Sequence, residues 1–215
     1  MESAAAPESD LAPGKRRLID AALRLTAGGR SFASLGLREV AREAGLNPNT
    51  FYRHFDTLDD LAREAVEAVS RRLRPVLRRE RWLAAHDEPL SVPRRACAAF
   101  FSFALDNRDV FLSALAEYHG TSPVLRDAVR ANLTEVAAEM ADDVVQLELM
   151  PALTRATVEE ICTQIVLQLF HLSREYIVAA AHRDALLGYA ERFIVRLFVG
   201  AQVLAQHRAP STGDS

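Results

Sequence analysis

The stretch Ser34–Asp60, SLGLREVAREAGLNPNTFYRHFDTLDD, constrains this chain more than any other. Leu37, Val40 and Ala41 recur at the spacing of one helical face. Gly45 interrupts that pattern and offers the positive φ that a helix C-terminus often needs. Asn47 is then an N-cap, with Pro48 at the first helical position, where its missing N–H costs nothing. Leu46 and Phe51 stand where a hydrophobic staple forms. The spacing predicts a short second helix from Pro48 to His54. A helix of that length is marginal alone, so Phe51 and Phe55, four apart, must anchor it. The rest of its surface, Asn49, Thr50, Tyr52, Arg53 and His54, is polar. Helix, tight turn and short polar helix together read as a helix-turn-helix whose second helix suits a DNA groove. Thr57 caps a following helix from Leu58, with Asp59 and Asp60 at its positive end.

Charge sharpens that reading. The 215 residues carry a net charge of −3, which excludes a uniformly basic nucleic-acid binder. Residues 14–56, however, hold eight basic groups against four acidic ones, and residues 82–215 hold eleven against seventeen. A basic head on an acidic body suits a protein that lays only its head on phosphate. The basic start of the first helix, Lys15, Arg16 and Arg17, is either a phosphate contact or a solvated helix end. The two cysteines, Cys97 and Cys162, lie far apart in apolar stretches and read as buried free thiols of a reducing compartment. No run is apolar enough to span a membrane, so no membrane partner is expected, and the expected location is cytoplasmic.

Helical periodicity continues to the end of the chain, with no strand-like alternation and no internal repeat, so the fold class is all-α. Residues 1–13 and 209–215 read as disordered tails. The first helix is expected over Gly14–Gly28, with Leu18, Ala21, Ala22 and Leu25 on one face; Phe32 and Leu35 pack beneath the helix-turn-helix. The helix from Leu58 runs through Leu61, Ala65 and Leu73 toward Pro75, a bend or break, and the arginines from Arg71 to Arg81 read as a solvated face. Further helices are expected over Ser91–Asp106, Val110–Tyr118, Val124–Leu147, Thr154–Ala181 and Arg183–Gln206. The last two are apolar over more than one stripe, so they are central in one core or shared between two. Phe100, Phe103, Phe111 and Phe170, with Leu115 and Met140, are candidates to line an apolar tunnel for a hydrophobic ligand; solid core packing is the competing reading. Arg78, Arg79, Arg94 and Arg95 are candidates for an anionic headgroup.

Catalysis has no support in the sequence. The six histidines are scattered without metal-ligand spacing, and there is no nucleophile elbow or phosphate-binding glycine loop. The neighbouring pairs Asp142-Asp143 and Glu159-Glu160 do not share a helix face and read as solvated. No enzyme, metal or cofactor is expected.

The segment LREVAREAG-LNPNTFYRHF resembles the TetR family of transcriptional regulators. SFASLGLREVAREAG, FYRHFDTLDDL and the later GTSPVLRDAV are similar to its branch of DesT/FabR-like repressors of unsaturated fatty-acid synthesis. The resemblance implies a TetR-like fold: a three-helix DNA-binding domain over residues 14–60 and a helical ligand-binding and dimerisation domain over residues 61–208. It implies a homodimer joined by the last two helices, here through Ile161, Ile165, Leu169, Phe193, Leu197, Gly200, Ala201 and Leu204. It also implies a repressor reading a palindromic double-stranded DNA operator and answering to long-chain acyl-CoA in control of fatty-acid or lipid genes. Carried over by position, Asn47, Asn49, Thr50, Tyr52, Arg53 and His54 face DNA, with Tyr52 and Arg38 on phosphate; Lys15 and Arg16 join them as candidates from the basic start of the first helix. Three features depart from the pattern. Gly36 stands where a capping Thr is common, Leu58 stands where a phosphate-touching Lys is common, and Ala116-Glu117-Tyr118-His119 replaces an arginine-bearing segment. The alternatives are a TetR-type regulator of another hydrophobic small molecule and a helical lipid carrier that does not bind DNA.

Overall fold

The computed structural model describes residues 12–26, 30 and 32–208. Every regular element among them is helical. The expected tail at 209–215, most of the one at 1–13, and most of the expected break at residues 28–31 lie outside the described residues.

Helix α1 spans Pro13–Thr26, α2 Leu37–Glu43 and α3 Pro48–Phe51. They pack around Leu18, Ala22, Phe32, Val40, Phe51 and Phe55. Phe51 is fully buried, and removing such a side chain from water contributes about 1.5–3 kcal/mol. Helix α4, Leu58–Asp87, is the spine of the molecule at 30 residues. Its N-terminus is closed by a capping box: Thr57 Oγ1 accepts from the Asp60 N–H at 3.1 Å, and the Asp60 carboxylate accepts from the Thr57 N–H at 3.1 Å. The helix does not break at Pro75, as expected from sequence, but runs through it. The ring lies on the exposed side, and the packing of Leu73 and Leu77 on the opposite side holds the helix across one missing backbone bond.

The body continues as α5 (Val92–Asp106), α6 (Arg108–Tyr118), α7 (Pro123–Gln146), α8 (Arg155–Val178) and α9 (Arg183–Arg208). Ser122 and Thr154 cap α7 and α8 through their hydroxyls. The body core gathers Leu73, Leu77, Phe101, Val158, Ile165 and Phe198. Cys97 and Cys162 are free and fully buried in it, and burial pushes both thiols up to about 12.

Two parts of the sequence reading change here. Asp143 and Arg81, expected in solvent, form a buried ion pair at 2.8 Å, and Trp82 Nε1 donates to the other Asp143 oxygen at 3.0 Å. The periodicity already carried this signal, because Arg81 continues the Leu73–Leu77 spacing of four. The separation at residue 60 is also not a physical one. Leu61, Ala62 and Ala65 of α4 and Leu125 of α7 belong to the head's core.

Candidate nucleic-acid interface and effector cavity

The turn between α2 and α3 is built as the glycine foretold. Gly45 has φ +64°, the Leu46 N–H donates to the Ala41 carbonyl at 2.9 Å, and the Gly45 N–H donates to the Arg42 carbonyl at 3.0 Å. That is a Schellman closure of α2. Arg17 reaches across from α1 and donates to the Ala44 carbonyl at 2.7 Å. A Cβ at position 45 would lie 2.9 Å from that guanidinium. Gly36 offers no side-chain cap to α2, but Glu39 accepts from the Gly36 N–H at 3.3 Å, which supplies half of a capping box. Glu39 is held below the usual carboxylate range, chiefly by its hydrogen bond from Arg30.

Helix α3 is shorter than expected. Asn47 caps it by accepting from the Asn49 N–H at 2.9 Å, and the α-helical part ends at Phe51. Beyond it the backbone tightens: the Arg53 N–H donates to Thr50 at 3.3 Å and the His54 N–H to Phe51 at 2.9 Å. These i to i+3 bonds let Phe55 return to the core, 5.7 Å from the Phe51 ring. Asn47, Asn49, Tyr52 and Arg53 are exposed, Tyr52 to 63%. Thr50 and His54 are half-buried, and His54 packs over Gly14 at the start of α1.

Much of the head's positive charge is already engaged. Lys15 pairs with Glu64 at 3.2 Å and sits over the Phe55 ring, Arg24 pairs with Glu43, and Arg30 with Glu39. Lys15 therefore pins α1 to α4 and is not a free phosphate ligand. Among the described residues, Arg16, Arg38, Arg42 and Arg53 make no ion pair or side-chain hydrogen bond, and all four are exposed.

In the body, a cavity of about 100 Å³ lies against α4 from Val66 to Arg81. Phe100, Phe111, Met140 and Phe170 line it, as expected. Phe103 and Leu115 do not. Phe103 packs edge-on to Phe111 under the Arg72 guanidinium, and Leu115 packs with Leu133 and Phe170 in a satellite cluster. Ser70 and Asn132 also line the cavity and were not singled out in the sequence. Arg81, Ala96, Met140 and Ile194 separate it from a second, outer pocket of about 270 Å³ opening between Leu90 and Val199. The four headgroup candidates divide. Arg94 pairs with Glu191, Arg95 with Glu80 and Asp87, and Arg78 stacks on Trp82, whereas Arg79 is exposed without a partner among the described residues.

Helix α6 joins cavity to head. Val110, Phe111 and Ala114 face the cavity. Ser113 is hydrogen-bonded to Thr26 of α1 at 2.8 Å, and the Glu117 carboxylate accepts from the Phe32 N–H at 2.9 Å. Glu117 is buried, its second oxygen has no hydrogen-bond partner among the described residues, and burial raises its pKa above the ordinary value, with Asp59 adding to the rise. A carboxylate inside the apolar run VFLSALAEY, four residues after Ser113, is the signal that could have found this contact.

The residues expected at a dimer interface also divide. Ile165 is fully buried within the subunit and faces the cavity with Leu169, so neither presents a surface to a partner. Ile161, Leu197, Gly200, Ala201 and Leu204 line an outer groove of about 810 Å³ between the start of α8 and the end of α9. Leu204 is 61% exposed. Phe193 is half-buried and stacks on Tyr189 of the same helix at 6.3 Å.

Residues 18–65 match the family described as bacterial regulatory proteins, tetR family. Solved structures share the fold over nearly the whole chain. A putative transcriptional regulator from Pseudomonas aeruginosa PAO1 is 22% identical, with 91% of this chain and 96% of that chain covered and a TM-score of 0.72. The fatty acid degradation regulator FadR from Bacillus halodurans is 14% identical, with 89% and 97% covered and a TM-score of 0.71. A putative TetR-family regulator from Syntrophomonas wolfei is 11% identical, with 87% and 95% covered and a TM-score of 0.73. At these identities the likeness is one of fold. The chain thus joins a head that matches the tetR family over residues 18–65 to an all-helical body of the same fold as these structures.

Proposed function

We propose that the protein is a dimeric repressor that binds a palindromic operator and is switched by a hydrophobic effector in the body. The observation that carries the DNA reading is the composition of the exposed α3 surface. Asn47, Asn49, Tyr52 and Arg53 stand on a buried Phe51–Phe55 base, with Arg16, Arg38 and Arg42 unengaged in the same domain. Amide, phenol and guanidinium groups are what base edges and phosphates require. In a two-fold dimer, two such surfaces would read half-sites about 34 Å apart. The outer groove of α8 and α9, with Leu204 exposed, supports that dimer.

The switch operates by population shift. A ligand that favours one arrangement of α6 and α4 changes the spacing of the heads, because both helices touch cavity and head. A long acyl chain, as in acyl-CoA, is the effector class we favour. The cavity is apolar and drawn out along α4, and one protein of the same fold is a fatty acid degradation regulator. The control of fatty-acid or lipid genes follows from that class. The test is electrophoretic mobility shift on DNA flanking the protein's own gene. A salt-sensitive, sequence-selective shift that acyl-CoA alters is expected. No selective shift at any salt concentration would end the repressor reading, and a shift that acyl-CoA leaves unchanged would end the acyl reading alone.

A further inference from the structure

Ser70 is a serine on the cavity side of α4. Its residue is more than nine-tenths buried, and its hydroxyl has no hydrogen-bond partner among the described residues. A serine within a helix ordinarily satisfies its hydroxyl on the carbonyl four residues before it. Here that bond is not made, although a buried hydroxyl left unpaired is costly. The neighbouring polar group stands at the same level. The contacts Asp59–Ser122, Arg74–Glu135 and Arg81–Asp143 join α4 to α7 at sequence separations of 63, 61 and 62 residues. The two helices therefore run side by side in one direction, and Asn132 stands opposite Ser70. The Asn132 amide nitrogen donates to the Ala128 carbonyl at 3.0 Å, which leaves its oxygen as acceptor.

The shape of the space is equally specific. Its lining extends from Val66 to Arg81, about 22 Å of helix axis, yet its volume is only about 100 Å³. A space that long and that small is narrow. Such a space suits an unbranched chain better than fused rings. Charge narrows the choice again. Arg81 is the one ionised group in the lining, and Asp143 already neutralises it. The surface groove next to Asn132 carries Arg63, Arg71 and Arg74, each paired with a glutamate. No unengaged cation waits for an anion here.

We propose that Ser70 Oγ, with Asn132 opposite, is the polar anchor of the cavity, and that it holds the neutral hydroxyl or carbonyl oxygen of a linear aliphatic ligand. The apolar remainder of that ligand lies along Leu73 and Leu77. Met140 and Ile194, shared between the inner and outer pockets, are the side chains a longer chain displaces to continue outward. This rests on the reading of the body as a hydrophobic effector site and adds the atom that sets its selectivity.

The experiment uses the full-length protein and Ser70→Ala, with isothermal titration of three probes. These are 1-octanol, n-nonane, which has the same number of heavy atoms but no oxygen, and 1-adamantanol, which has the hydroxyl on a compact cage. Ser70→Ala removes an unpaired buried hydroxyl, so its thermal midpoint is expected to hold or rise, and a melt establishes that it is folded. The expected result is that the octanol-to-nonane affinity ratio falls about fivefold in Ser70→Ala, the size of one neutral hydrogen bond, while adamantanol binds neither protein. An unchanged ratio overturns the anchor and leaves the effector site standing; a water on Ser70 would give that result. Adamantanol binding as tightly as octanol overturns the linear class. No binding of any probe overturns the anchor and the effector site together.

Discussion

Asp143 shows how far a single carboxylate can depart from its surroundings in sequence. It sits beside Asp142, which is partly exposed and pairs with Arg155, yet Asp143 itself is 2% exposed and is satisfied by Arg81 and Trp82. Removing one member of such a pair leaves a buried charge without a partner, whereas replacing both with apolar groups can be nearly neutral. Asp143→Asn is therefore expected to lower stability by about 3–5 kcal/mol. The double change Arg81→Met with Asp143→Leu should recover most of that loss. Urea denaturation of the wild type and both variants decides the point; equal losses in the single and the double variant would contradict it. The Ser70 hydroxyl lies about three helical turns from this pair on the same face of α4, so the same helix carries both a satisfied and an unsatisfied polar group toward the core.

Helix α6 is the element on which head and body meet, and the sequence disclosed its existence but not its role. Its apolar residues announced a buried helix. Ser113 and Glu117 were not singled out in the sequence, because nothing local distinguishes a side chain facing water from one facing another domain. The same limit explains Lys15, whose charge looked available and is engaged with Glu64 by a tertiary contact. By contrast, the caps at Asn47, Thr57 and Gly45 were legible because each is settled within a few residues. The tightened end of α3 was less so, since only the return of Phe55 to the core forces it. Glu117 carries a pH consequence. Its folded pKa is raised, so the folded state prefers the protonated acid. Its contribution to stability is therefore greatest below the unfolded value, declines as pH rises between the unfolded and folded values, and is flat above them. Glu117→Gln keeps an acceptor for the Phe32 N–H and cannot ionise. Urea midpoints measured from about pH 4 to pH 8 should fall more in the wild type than in Glu117→Gln. Parallel curves would refute the assignment.

At the scale of the molecule, the all-helical class could be read from periodicity and the helix-turn-helix from the segment around α3, whereas the partition of α8 and α9 between inside and outside could not. An apolar stripe on a helix does not say what it meets, and Ile165 and Leu204 are equally apolar in sequence. One is fully buried in its own subunit and the other is 61% exposed. If the outer groove is the dimer seam, Leu204→Glu should convert the protein from about twice the chain mass to the chain mass in sedimentation equilibrium at micromolar concentration. Its circular dichroism should stay unchanged, because an exposed position does not support the subunit's own core. A wild type that sediments as a monomer, or a variant that remains a dimer, would place the interface elsewhere.

If that groove is the seam of the proposed repressor, it also bears on how the protein would answer to its own abundance. A seam formed between subunits is governed by mass action, whereas the buried core is not. Where the chain is scarce enough for the dimer to dissociate, occupancy of a two-fold site grows as the square of the number of chains. Where it is plentiful, occupancy grows in simple proportion. The hydrophobicity of a few side chains near Leu204 would thus set the copy number at which a steep response to synthesis becomes a gradual one.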